Sequence, residues 1–141
     1  MEVFVDYLGE LNWFAVIVAA FVAFITGAIW YADGLFGKRW KKEVKLTDNK
    51  IKQANMSRLF VVSFLTIVVT AIAIGVLVQV LVLTTALQGA LFGVMLAIGV
   101  LGANKLMQVE FEQRSNVYWY IVLGADIVAF AAMGAILAVW Q

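Results

Sequence analysis

The chain has 141 residues, 65% of them hydrophobic and 13% charged, with a mean hydropathy of +0.98. A soluble domain needs more polar surface than this to cover its core, so the composition places the chain in a membrane and leaves no room for a soluble module. It has no Cys, His or Pro and a net charge of +1, which excludes disulfides, thiol chemistry and Cys metal sites and removes both the commonest metal ligand and general base and any proline kink.

The first ten residues, MEVFVDYLGE, carry Glu2, Asp6 and Glu10 and no Lys or Arg. A cleavable signal peptide opens with a positive segment, so this one is expected to stay on the protein. A helix needs about 20 apolar residues to cross a bilayer, and four stretches qualify: residues 12–31, 58–83, 87–107 and 117–140. Barrel strands would read as shorter, alternating segments. The prediction is an all-α integral membrane protein, a single domain over residues 1–141, built as a four-transmembrane-helix bundle.

In the first span Ala15, Ala19, Ala23 and Gly27 recur every fourth residue. Small residues let helices approach closely in lipid, where apolar burial alone gives no drive to associate. Gly89, Gly93 and Ala97 repeat the spacing in the third span, and Gly134 and Ala138 in the fourth. These stripes serve packing inside one bundle or a seam with another chain.

The loop after the first span is basic. Phe36, Trp40 and Val44 share a helical face over residues 33–44, and Lys38, Arg39, Lys41, Lys42 and Lys45 surround it. That pattern predicts a short amphipathic helix in the interface, with Trp40 among headgroups and the lysines near anionic lipid. A plain topological anchor and a specific docking surface both fit; nucleic acid does not, because the patch lies against a membrane.

The second span carries Ser63, Thr66 and Thr70 as one hydroxyl stripe. The link at residues 84–88 is so short that spans two and three are expected to form an antiparallel hairpin. Asn104 and Lys105 fall near the end of the third span, and Glu110, Glu112 and Arg114 in the polar link that follows. Glu110 and Arg114, four apart, would pair on a helix. The fourth span contains Asp126, about 14 Å beyond Val117 at 1.5 Å per residue. A carboxylate at that depth costs several kcal/mol unless paired or neutralised. Lys105, Thr66 and Thr70 are its candidate partners, with Asn104 and Ser63 on the same two spans. The site is read either as a polar staple between helices or as a proton or cation site, a protonated carboxyl being the third case.

All ten Lys and Arg lie in or beside the first and third loops, and none near the N-terminus, the second loop or the C-terminus. The positive-inside rule then puts both termini outside. Trp13, Trp30, Tyr31, Trp40, Tyr118, Trp119, Tyr120 and Trp140 fall near span ends, as an aromatic belt requires.

Residues 11–55 read LNWFAVIVAAFVAFITGAIWYADGLFGKRWKKEVKLTDNKIKQAN. This resembles a bacterial four-span membrane family catalogued as domain of unknown function 1761. Its pattern is Asn-Trp, an Ala-rich span ending Gly-x-x-Trp-Tyr, then Phe-Gly-Lys-x-Trp and a short Leu-Thr helix ending Ala-Asn. The matching positions are Asn12, Trp13, Gly27, Trp30, Tyr31, Phe36, Gly37, Lys38, Trp40, Leu46, Thr47, Ala54 and Asn55. Asn104, Phe111, Glu112 and Arg114 match a later Asn…Phe-Glu-x-Arg element, and MGAIL near the end is similar too. Ala32-Asp33 stands where the family usually has Ser-Pro, and Ala125-Asp126 where it often has Tyr-His, so no role of that His carries over. The resemblance implies the four-span topology and no activity.

These residues bear on three functions. A non-enzymatic bundle, acting as a homo-oligomer or as an accessory subunit of a larger membrane complex of the bacterial inner membrane, needs only the packing stripes and the anchor loop. A small proton- or cation-coupled transporter or channel would use Asp126, but one carboxylate and a few hydroxyls make a thin pathway. A membrane enzyme lacks any His, Cys or carboxylate cluster to work with. The chain is therefore expected not to be an enzyme and to need no cofactor or metal.

Overall fold

The computed structural model describes all 141 residues, and they are helical nearly throughout. Helix α1 covers Glu2–Glu10, α2 Trp13–Trp30, α3 Gly37–Glu43, α4 Asp48–Gln53 and α5 Met56–Val80. The third span, Ala86–Phe111, is composite: α6 (Ala86–Leu96), a π-helical segment (Ala97–Gly102) and α7 (Ala103–Phe111). Helix α8 (Asn116–Val139) completes four helices long and apolar enough to cross a membrane.

Side-chain caps fix where the spans begin. The first turn of a helix leaves backbone N–H groups unpaired, and Asn, Thr or Ser oxygens satisfy them. Asn12 accepts from the Ala15 amide at 3.1 Å, Asn55 from Arg58 at 3.0 Å and Ser115 from Tyr118 at 3.2 Å. Thr85 and Gln88 form a reciprocal capping box at the start of α6. The observed spans agree with the predicted ones to within a few residues, the largest difference being the third, which runs on to Phe111.

Helix α8 is central. Helices α2, α5 and α6 all pack on it, and α2 also packs on α5. Ala15, Ala19 and Ala23 of α2 are buried against Ala71 and Ile74 of α5 and Met133 and Leu137 of α8. On the other side of α8 the helices approach more closely still. A Cβ at Gly89 would strike the Gly134 carbonyl, and one at Gly93 would strike the Phe130 carbonyl. Only glycine permits that contact.

Several expectations change. Gly27 does not extend the packed alanine stripe: it is half-buried, and a Cβ built on it would meet nothing. Spans two and three are antiparallel and share a short link, but each packs on α8 and not along the other. All fully buried residues of α5 lie between Ala71 and Val78, while its first half meets α2 through Phe60 and Phe64, which pack on Phe21 and Phe24. The N-terminal residues, given no structure above, form α1, which the Gln79 amide ties to α5 by donating to the Glu10 carbonyl at 3.2 Å. The amphipathic loop helix is shorter than residues 33–44, and α4 follows it.

Three helices end in the same strained way. Lys45, Val82 and Gln113 have φ of 56°, 54° and 55°. Each follows a helix and lets two amides turn back: Leu83 and Val82 donate to the Val78 and Gln79 carbonyls, both at 3.0 Å. This is the Schellman closure, which usually takes glycine at the left-handed position. A non-glycine residue there costs about 1–2 kcal/mol, and a β-branched one fits worst. Val82→Gly should therefore stabilise the protein by about 1 kcal/mol after glycine's greater unfolded freedom is counted. A thermal melt in detergent checks this; a lower midpoint would show that the Val82 side chain contributes more than its backbone strain costs.

Candidate functional site

Hydrocarbon offers no partner to a charged side chain, so intramembrane charges must find each other. The Lys105 ammonium donates to Asp126 Oδ2 at 2.5 Å, joining α7 to α8. Lys105 reaches Asp126 because of the π-helical segment. The face of the third span turned to α8 carries the buried residues Gly89, Gly93, Ala97, Gly102 and Val109. The step from Ala97 to Gly102 is one residue longer than the steps before it. At about 100° per residue an unbroken α-helix would return residue 104 to that face and swing 105 away. The extra residue accommodated by the π turn brings Lys105 round and sends Asn104 outward. Trp119 braces the turn, its indole N–H donating to the Gly102 carbonyl at 2.9 Å.

Asn104 is therefore not part of the site. It is exposed and accepts a hydrogen bond from the Gln108 side chain at 3.2 Å. Ser63 is also elsewhere, in a groove between α2 and α5. Thr66 and Thr70 do line a cavity of about 290 Å³ with Asp126, but neither bonds to it. Their hydroxyls donate to the carbonyls one turn back, Thr66 to Val62 at 2.7 Å and Thr70 to Thr66 at 3.0 Å. A hydroxyl in hydrocarbon satisfies itself on its own helix when no partner is in reach.

The same cavity is walled by Tyr31, which was read above only as a belt aromatic. Trp30 also turns inward. Its indole donates to the Ile121 carbonyl at 3.0 Å, and its ring lies over Gly124 of α8. Trp30 and Trp119 are thus struts between helices, whereas Trp13 and Trp140 stay exposed near the opposite end. Nothing in the residue type separates these roles; the glycine at Gly124, opposite Trp30, is the one available signal.

At the basic end α3 is stitched down. Phe36 stacks on Trp30 with ring centres 4.5 Å apart, and Trp40 meets Tyr31 edge-on at 5.3 Å. Lys41 pairs with Asp33 at 2.8 Å, and that hydrogen bond holds the Asp33 carboxyl below its usual range. Arg39 pairs with Glu43 at 3.0 Å. Ser115 donates to Glu43, linking the first loop to the third and lowering the Glu43 pKa. Lys38 and Lys42 form no ion pair. Arg114 pairs with Glu112 at 2.5 Å and not with Glu110, because α7 ends at Phe111 and Gln113 breaks the helical spacing.

A family model described as protein of unknown function (DUF1761) matches residues 14–138, and the chain belongs to that family. Comparison with curated proteins and with solved structures finds no match. The chain is a multi-pass membrane protein, and the family carries no assigned activity.

The pair predicts a graded response to substitution. Asp126→Leu leaves the Lys105 ammonium unpaired and should destabilise by on the order of 2–4 kcal/mol. Asp126→Asn keeps an acceptor and should lose less than half of that. Equal melting midpoints for wild type and Asp126→Leu would mean the pair holds nothing together.

Proposed function

We propose that this protein is a non-enzymatic helix bundle of the bacterial inner membrane that works through assembly, as a homo-oligomer or as an accessory subunit of a larger membrane complex. One observation carries the reading: the two intramembrane charges are paired with each other and the threonines beside them are bonded to their own helix. Asp126 is held by Lys105, and Thr66 and Thr70 bond their own helix. No three His, Cys, Asp or Glu side chains come together. A bundle whose intramembrane charges neutralise one another has little to offer a reacting substrate, and its remaining means of action is its surface.

Charge gives the orientation. The loops joining α2 to α5 and α7 to α8 hold nearly all Lys and Arg, and the end bearing α1 holds none. On the positive-inside rule the basic end is cytoplasmic and both termini are outside. Cysteine placed at Ser57 should be shielded from an impermeant thiol reagent in intact cells, and cysteine at Glu2 should label. Particles extracted with native lipid should contain several copies, or one copy with a stoichiometric second polypeptide. Particles that are uniformly monomeric and alone would sink the assembly reading.

A second reading has its own support. The Lys105 and Asp126 side chains keep 32% and 21% of their surface, and Asp126 lines a cavity together with Tyr31. An ion pair that is not sealed can exchange its partner for a proton or cation. In that case Asp126→Asn would fold normally and abolish pH- or cation-dependent flux in proteoliposomes; no flux from the wild type removes this reading.

A further inference from the structure

Residues of all four spans line the cavity beside Asp126. What they offer a ligand is mainly hydrogen-bond acceptors. A threonine hydroxyl has one proton and two lone pairs. Thr66 and Thr70 already donate that proton to the Val62 and Thr66 carbonyls, so only lone pairs are left on each. Asp126 lines the cavity, whereas Lys105, which donates to its Oδ2, does not, and Oδ1 accepts no hydrogen bond. Tyr31 is the one other polar side chain there, and Ala129, Phe130 and Met133 of α8 make the wall apolar.

The partner that Asp126 does hold is itself informative: a lysine side chain ends in a primary ammonium on an alkyl stem. We propose that the cavity binds a free ligand of the same class, a small primary ammonium with an apolar body, which takes the place of Lys105 on Asp126. This rests on the second reading above in one respect, that the pair exchanges its partner. An ammonium brings three N–H donors, and Asp126, Thr66 and Thr70 are three acceptors. The apolar body suits the rest of the wall. The volume of about 290 Å³ is at the small end of ligand pockets, which begin near about 300 Å³. A divalent metal ion fits worse, because it takes roughly six or more oxygen ligands and this wall is mostly hydrocarbon.

Lys105 has somewhere to go when it is displaced. Helix α7 ends at Phe111, which puts Lys105 about 9 Å from the basic end of its span at 1.5 Å per residue. Lysines near a span end carry their ammonium to the interface on a flexible stem. Charge balances in the exchange, since one ammonium leaves the carboxylate as another arrives and the membrane interior gains no net charge. Lys105 is then a tethered competitor for the site.

The test uses the full-length protein in phosphatidylcholine nanodiscs, with hexylammonium and hexan-1-ol, which share one chain, as probes. Equilibrium dialysis against protein-free discs should show one saturable hexylammonium per chain, bound at least about tenfold more tightly than hexan-1-ol. Asp126→Asn should remove that preference. Thr66→Val combined with Thr70→Val keeps the shape and the ion pair, and should weaken hexylammonium at least about threefold. Lys105→Gln should bind hexylammonium more tightly than wild type, because the competitor is gone, and its melting midpoint should rise when the probe is added. Lys105→Met serves for the same comparison should Lys105→Gln fail to fold. Gly27→Leu fills the cavity from a position where a side chain meets no neighbour, and should melt no lower than wild type while losing the saturable probe. Folded Lys105 variants that bind no more tightly than wild type overturn the exchange, and folded Gly27→Leu with unchanged affinity overturns the site. Hexan-1-ol bound as tightly as hexylammonium overturns the ligand class. A wild type that binds no hexylammonium overturns the proposal, and if it still passes protons or inorganic cations the second reading survives without it. Saturable binding without flux supports the site and removes transport alone.

Discussion

Lys105 and Asp126 meet between two membrane-spanning helices, and their neighbours are arranged around that meeting. A lone charge at such depth costs several kcal/mol, comparable to the whole stability of a small bundle. The pair therefore has to form, and its formation sets the register between the third span and α8. A regular helix would have offered Asn104 at the corresponding position. The π turn between Ala97 and Gly102 offers Lys105 instead, and the Trp119 indole occupies the carbonyl at the end of that turn. Such turns are uncommon and less well bonded than α-helix, so this one has to be compensated by what it positions.

The glycine contact makes the pair geometrically reachable. Where Gly89 and Gly93 lie against Gly134 and Phe130, the backbones of α6 and α8 are nearly touching. Lys105 follows on the same helix and needs no more than its own side chain to reach Asp126. Helix α5 meets α2 over its first half through larger side chains, Phe60 and Phe64 on Phe21 and Phe24. Tight packing on one side of α8 and loose packing on the other thus follow from where glycine was placed. In lipid there is no hydrophobic drive to close the loose side, because a lipid chain fills it as well as a helix would.

The four spans and the basic end were legible in the sequence because length, hydropathy and Lys/Arg position report directly on the solvent. The alanine stripe was legible as far as Ala23 for the same kind of reason, a four-residue repeat of small side chains. It failed at Gly27 because spacing along α2 carries no information on what lies opposite each position, and nothing lies within 4 Å there. Lys105 was visible as a partner for Asp126, but the choice between it and Asn104 was not. That choice depends on one extra residue in a turn of apolar residues, AIGVLG, which no period of 3.6 reveals. Helix α1 was missed for a different reason: its apolar positions sit among three carboxylates, too few to signal a span and too short to stand alone.

The aromatic residues mark the limit of reading by type. All eight Trp and Tyr counted for the belt lie near span ends, yet Trp30 and Trp119 use their indole N–H groups inside the protein while Trp13 and Tyr120 remain exposed. An indole is suited to either setting, since it is apolar over its body and has one donor at its edge. What decides is whether a backbone carbonyl within reach and a glycine-sized gap lie opposite. At the basic end both are present, at Ile121 and Gly124 for Trp30, so that end of α2 is fastened to α8 by a donor that would otherwise have gone to headgroups. With α2 fastened there to α8, Tyr31 is held over the cavity that Asp126 lines, and the carboxylate keeps one accessible side.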